Sequence, residues 1–173
     1  PVFDATGSMV VNIGGGTCDV AVLSLGGIAA SKSIKVGGDA FDKTIIEYMK
    51  NEHDLMIGDN TAEDIKLKIG SADIYDGEAA MEVRGRNLSD GLPKSIETTS
   101  SEIRKVLSEP VNEIINAIKE TLEVTLPELA ADIIDKGIYL TGGACQLRGL
   151  SDLIAKETGI AVHIPCLLYT SDA

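Results

Sequence analysis

The 173-residue chain predicts an α/β fold: a three-strand antiparallel meander, then parallel strands with helices, with a small α+β insertion between them. Three observations carry this expectation. Residues 9–36 hold three apolar runs separated by glycine turns. Residues 137–164 alternate strand, glycine pair, helix and strand, which predicts a parallel pair joined by a right-handed crossover. Between these parts, residues 99–123 keep the longest helical stripe in the chain, and residues 53–98 show only short, weakly patterned segments.

The first element is the stretch MVVNIGGGTCDVAVLSL, residues 9–25. Met9, Val10, Val11 and Ile13 run into Gly14, Gly15 and Gly16, and after Thr17, Cys18 and Asp19 a second apolar run follows. Two strands around a glycine turn make a hairpin. Three glycines exceed what a hairpin needs, so the turn also reads as a nest of N–H groups for phosphate, with glycine permitting φ > 0 and close ligand approach. Thr17 adds a hydroxyl donor, while Asn12 and Asp19 sit where a hydrated metal ion could be held. A plain glycine hairpin fits the same residues.

Gly26 and Gly27 turn the chain into a third strand, residues 28–36. Gly37 and Gly38 end it, Asp39 reads as a helix N-cap with Asp42 three residues on, and Phe41, Ile45, Ile46 and Met49 give a helix to about Asn51. The glycine pair would bend the chain sharply and leave the helix N-terminus accessible; a tight turn alone explains it equally. Thr61 is then expected to cap a short helix with Ala62, Ile65 and Ile69 inward. Glu63 and Lys66, three apart, share another face, where a surface ion pair would be worth roughly 0.2–0.5 kcal/mol.

Met81, Val83 and Ile96 give weak strand signals on either side of a polar turn at residues 84–87, followed by Asp90, Gly91 and Pro93. Thr99 and Glu102 form a capping box, and the stripe from Ile103 to Leu122 predicts a long helix bent at Pro110. Pro127 starts another short helix, roughly residues 128–134. A buried strand at residues 138–140 ends at Thr141, Gly142 and Gly143, with a helix over residues 147–156 and a last strand over 161–164. Strand, paired glycines and a helix N-terminus form a recurrent anion or nucleotide contact, although such a turn also needs glycine for packing.

Composition limits the function classes. Apolar residues are 44% of the chain and charged residues 24%, as in a soluble globular protein. With no Trp and 3% aromatics, the core must rest on Ile, Leu, Val and Ala. A net charge of −12 argues against nucleic-acid binding and against direct contact of this segment with anionic lipid. Cys18, Cys145 and Cys166 are odd in number and lack metal-ligand spacing, so a reducing cytoplasmic location is the simplest reading. No signal peptide or apolar run of about 18 residues is evident. His53 and His163 are isolated, which suits surface or strand positions better than ligands.

The GGGT turn, the Glu63/Lys66 helix and the TGGA turn, in this order, resemble the nucleotide-binding half of the actin-like ATPases. More narrowly, RGRNL, GLPK and PELAADI make the chain similar to the MreB/Mbl family of bacterial actin homologues, over roughly residues 6–164. That resemblance implies a ribonuclease-H-like, actin-type domain. Residues 9–55 and 99–164 would be subdomain IIA and residues 56–98 the subdomain IIB insertion, with residues 1–8 a severed connection and 165–173 a non-family tail. It implies ATP with Mg²⁺ as cofactors. Gly14, Gly15, Gly16 and Thr17 would form the second phosphate loop, Glu63 and Lys66 the adenosine pocket wall, and Gly142, Gly143, Ala144 and Cys145 the adenosine-motif turn.

It also implies self-assembly into filaments that organise membrane-associated cell-wall synthesis and maintain rod shape. Three departures temper these expectations. The family usually has Asp at Asn12, the position associated with hydrated Mg²⁺, and an amide supplies no charge. The adenosine turn usually reads GGGA, whereas Ala144 and Cys145 fill its last two places. The chain starts after the family's first half, so the first phosphate loop, the catalytic acid and any N-terminal membrane-binding segment are expected to be missing and the fragment inactive alone. The closing CLLYTSDA does not match the family continuation and is similar to translated sequencing-adapter read-through. Rival readings are a chaperone-type or plasmid-segregation actin-like ATPase, and a non-catalytic filament or adaptor module.

Overall fold

The structure, a computed structural model, describes residues 6–165, so the closing tail lies outside the described residues. Strands β1 (Ser8–Ile13), β2 (Cys18–Ser24) and β3 (Gly27–Ile34) form the expected meander. Strands β7 (Ile138–Thr141) and β8 (Val162–His163) extend it in parallel, giving one sheet of order β3-β2-β1-β7-β8. Register explains which residues of these apolar runs are buried. Met9 pairs with Val22 and Ile138, and Val11 with Val20 and Leu140, so the buried residues of three strands share one face. The same register sets Asn12 between Asp19 and Thr141 on the opposite face, at the end of β1.

Helix α3 (Ser100–Glu123) is the principal core helix, packing against β2, β3 and α1 (Gly38–His53), and against α5 (Leu150–Thr158). Its Ile103, Leu107, Val111, Ile114, Ile115 and Ile118 are buried, each fully buried side chain contributing about 1.5–3 kcal/mol. The helix runs through Pro110, which is itself buried. Helix α4 (Pro127–Lys136) covers β1 from Pro127 onward. A second, three-stranded antiparallel sheet, β4 (Leu55–Met56), β5 (Ala80–Asn87) and β6 (Pro93–Thr99), is built from the middle of the chain together with α2 (Asp59–Ile69).

Several local expectations are corrected. Residues 84–87 are not a turn but the end of β5, and the turn lies beyond them, with Asn87 N–H donating to Leu92 O at 2.8 Å. Gly85 makes that possible, because a Cβ there would lie 2.3 Å from Met56 O, where β4 crosses closely. Neither Asp39 nor Thr61 is a cap: α1 begins after Gly37 and α2 after Gly58, without side-chain caps. Thr99 does cap α3, accepting from Glu102 N–H at 3.2 Å, but the Glu102 carboxylate turns away to His53 (2.9 Å) and Thr98 (3.0 Å) instead of closing the box. Residues 143–146 form a 3-10 turn and Gly149 adopts φ +79°, which delays α5 to Leu150. Ser8 belongs to β1 and not to a connecting segment.

Candidate functional site

The end of β1 delivers the glycine turn. Gly14 N–H closes it onto Thr17 O at 3.0 Å. None of Gly14, Gly15 and Gly16 takes positive φ, contrary to the conformational reason first given for them. Space is the reason that survives: a Cβ on Gly16 would meet nothing within 4 Å, and one on Gly15 only the Asp39 carboxylate at 3.7 Å. The N–H groups of Gly15, Gly16 and Thr17 have no partner among the described residues. The Thr17 hydroxyl donates to Asp19 Oδ2 at 3.1 Å.

The turn's carbonyls have a separate task. Gly14 O accepts from Gly38 N–H at 3.0 Å and Gly15 O from Asp39 N–H at 2.8 Å, while Gly37 O takes Ala40 and Phe41 N–H. Three of the N-terminal donors that a helix leaves orphaned, the N–H groups of Gly38, Asp39 and Ala40, are thus satisfied internally, and Phe41 N–H makes the first i→i−4 bond. The expectation of an accessible α1 N-terminus is therefore corrected: the glycine turn occupies it. Gly37 allows the approach, since a Cβ there would lie 2.4 Å from Gly14 O.

Beside the turn opens a cavity of about 540 Å³, within the range of small-ligand sites. Gly14 and Gly15 edge it at one end. Glu63, Lys66, Leu67 and Gly70 line it from α2, spaced i, i+3, i+4 and i+7, so one helix face forms a wall. Gly143 and Ala144 face it after β7, followed by Gln146 and Arg148. Gly143 leaves open space where a Cβ would stand. Gly142 and Cys145 are not among its lining residues: Gly142 takes φ +93° and a Cβ on it would strike Ile13 O at 2.3 Å, and Cys145 is buried.

Lys66 does not pair with Glu63. Its Nζ lies 2.8 Å from Asp42 Oδ1, across the α1–α2 contact, and 3.5 Å from Gly38 O. The pair is close but its angles are poor for a hydrogen bond, which leaves Asp42 Oδ1 buried without a directed donor. Three acidic side chains (Asp39, Asp42, Glu63) and two basic ones (Lys66, Arg148) line the cavity. A polyphosphate would therefore rely on the turn's N–H groups and a counter-cation more than on side-chain charge.

Asn12 is exposed, and its Oδ1 accepts from the Thr141 hydroxyl at 3.2 Å. With Asp19 alongside, the donor set suits a cation held through water. No cluster of three His, Cys, Asp or Glu that could hold a metal directly occurs among the described residues. Asp42, Leu67, Gly70, Gln146 and Arg148 escaped the reading of the sequence. The α2 stripe was the signal that could have found two of them, because Leu67 and Gly70 continue the face begun by Glu63 and Lys66.

A meander continued by parallel strands in the order β3-β2-β1-β7-β8 is the sheet of an actin-type domain, and solved actin-like structures superimpose on it. The chain belongs to the MreB/Mbl family, whose profile, described as MreB/Mbl protein, matches residues 1–166. It is 50% identical over 164 residues to the cell shape-determining protein MreB of Escherichia coli (strain K12), covering 95% of this chain and 47% of that protein. It is 47% identical to the cell shape-determining protein Mbl of Bacillus subtilis (strain 168), covering 94% of this chain and 49% of the relative. The chain thus spans about half the length of the curated relatives it matches. The crystal structure of MreB5 of Spiroplasma citri bound to ADP superimposes with a TM-score of 0.91 at 37% identity, over 99% of this chain and 54% of that one. The MamK double helical filament, at 22% identity and a TM-score of 0.71 over 91% of this chain and 49% of that one, shares the fold. No described helix is long and apolar enough to cross a membrane.

Proposed function

We propose that the chain is domain II of an MreB-like cytoskeletal protein and that its cavity binds ATP. Residues 9–55 and 99–164 act as subdomain IIA and residues 56–98 as subdomain IIB. The observation that carries this reading is the glycine turn with three unpartnered N–H groups beside a cavity walled by α2 and the residues after β7. The Spiroplasma citri relative, solved with ADP and with AMPPNP, supports it. Gly15, Gly16 and Thr17 would take phosphate through backbone N–H groups, and Glu63, Lys66, Gly143 and Ala144 would flank the nucleoside. Gly142 and Cys145 would support that turn from behind.

Mg²⁺, when bound, would offset phosphate charge in a cavity lined by one more acid than base, and Asn12 and Asp19 would hold its water. Phosphoryl transfer depends on positioning and charge stabilisation from both sides of the phosphates. Among the described residues the phosphate donors lie on one side of the cavity, so we infer binding without measurable hydrolysis by the chain as given. The whole protein would assemble with copies of itself into filaments in the cytoplasm and organise membrane-associated cell-wall synthesis, in keeping with the name of the Escherichia coli relative, a cell shape-determining protein.

Calorimetry with ATP and Mg²⁺ tests the binding: a saturable heat is expected, and its absence at high protein concentration would refute the reading. Phosphate release in a single-turnover experiment would refute the non-hydrolytic part. A second reading, a non-catalytic filament module, is favoured by one observation: Asn12 Oδ1 is already engaged by Thr141 and carries no charge. The same calorimetry decides between them, and the variant Asn12→Asp tests the metal role of this position. A gain in Mg²⁺-dependent affinity would place the metal near this position, and no gain would remove that role.

A further inference from the structure

Arg148 lies where the cavity meets the C-terminal end of α2. Its guanidinium sits 4.4 Å from the centre of the Tyr75 ring, a cation–π arrangement. Nη1 points at the carbonyls of Lys68 (3.5 Å), in the last turn of α2, and of its C-cap Gly70 (3.4 Å), at a helix end where orphan carbonyls and the dipole favour a cation. Tyr75 is itself anchored, since its hydroxyl lies 2.8 Å from Ser100 Oγ, which also bonds Ala79, just before β5, and belongs to the first residue of α3. The main chain makes a separate bond here, Ala72 N–H to Arg148 O at 2.8 Å. Removing the Arg148 side chain would leave that bond in place.

The order of contacts along the cavity gives Arg148 its meaning. Gly14 touches Gly38, Lys66 reaches Gly38, and Gly70 lies one helical turn beyond Lys66, so Arg148 stands at the end away from the phosphate turn. We propose that Arg148, stacked on Tyr75 and set against the α2 carbonyls, is a positioning residue that holds the α2 wall against the turn after β7 at the nucleoside end. This rests on the nucleotide reading above and adds to it a residue that acts on base and ribose and leaves the phosphates alone.

The test compares ATP with inorganic tripolyphosphate by calorimetry on the whole chain and the variants Arg148→Met, Tyr75→Leu, the double variant and Tyr75→Phe. Losing a partly exposed cation–π contact should weaken ATP about two- to fivefold, with tripolyphosphate unchanged. The double variant should lose no more than either single one, and Tyr75→Phe, which keeps the ring but gives up the hydroxyl's bond to Ser100, should lose less ATP affinity than Tyr75→Leu. Equal ATP affinity in Arg148→Met, or an equal loss for both ligands, would overturn the inference. So would additive losses in the double variant. Should Arg148→Met fold poorly, Arg148→Lys, which keeps the cation over the ring, must retain most of the ATP affinity or the inference falls. If the parent chain binds no ATP at all, the nucleotide reading has failed, a result distinct from a parent that binds and variants that bind equally.

Discussion

Two glycines 21 positions apart make opposite predictions about the same turn. Gly37→Ala would place a Cβ 2.4 Å from Gly14 O and 2.7 Å from Gly15 O, both backbone atoms with no side-chain freedom to yield. The φ of Gly37, −151°, suits alanine, so the cost is contact and not conformation. The turn must move, and its two carbonyls then leave Gly38 and Asp39 N–H. Overpacking costs about 1–3 kcal/mol and a lost helix cap about 1, so together about 2–4 kcal/mol. For a chain this size that lowers Tm by roughly 5–15 °C. Gly16→Ala adds a methyl to open space at a φ outside the left-handed region. Its stability should stay within about 0.5 kcal/mol of the parent or rise by up to ~1 kcal/mol. Its ATP affinity should nonetheless fall, because the methyl stands beside the unpartnered N–H groups. Urea melts and ATP calorimetry on both variants measure the two effects. A Gly37→Ala protein as stable as the parent would refute the carbonyl-capping argument. A Gly16→Ala protein that is destabilised by more than ~1 kcal/mol, or that binds ATP unchanged, would refute the argument that Gly16 is there to leave room.

Three further outcomes follow from the same structure. Burial works against the Glu102 carboxylate, but hydrogen bonds from Tyr48, His53 and Thr98 outweigh it and hold its pKa below the usual carboxylate value. A folded pKa below the unfolded one gives stability that is full above about pH 4.5 and is lost as pH falls through the folded value. Glu102→Gln should therefore cost about 1 kcal/mol in urea melts at pH 7 and progressively less below pH 4; a gap that widens on acidification would contradict this. Burial, and then the neighbouring Asp19, push the Cys18 thiol up to about 12. Iodoacetamide at pH 8 should leave Cys18 unmodified in the folded chain and alkylate it in urea, read by peptide mass spectrometry. Ile114→Ala, at a fully buried position on α3, should lose about 2–5 kcal/mol in the same melts, and a loss under ~1 kcal/mol would mean that α3 is not the core helix described here.

The meander, the long helix and the late parallel pair were legible because each writes its burial into a local period. Val11, Val20 and Leu140 lie in short apolar runs bounded by glycines, and the α3 stripe repeats at three and four residues. What stayed hidden depended on residues distant in sequence. Arg84 to Asn87 look like a turn, and only the approach of Met56 to Gly85 shows why glycine sits in a strand. Lys66 looks like the partner of Glu63, yet Asp42 on α1 is nearer once the helices pack. Asp39 looks like a cap because a local reading must seek a side chain, whereas the first two donors of α1, Gly38 and Asp39 N–H, are met by carbonyls more than 20 residues upstream.

That last case bears on what the glycine turn is for. A turn that only joined β1 to β2 would have no need to meet a helix, and a turn that only capped α1 would have no need of three adjacent residues with room for side chains. Here the two faces of the same peptides divide the work: carbonyls of Gly14 and Gly15 fasten α1, and N–H groups of Gly15, Gly16 and Thr17 have no partner among the described residues. Because both sets belong to a four-residue turn, α1 sets the orientation of the N–H groups. Asp42, one turn into that helix, fixes Lys66 on α2 in the same packing. A ligand drawing on those N–H groups would therefore bear on a turn already tied to both helices. The stability of α1 and the affinity of the cavity should then fall together in Gly37→Ala, and separate in Gly16→Ala.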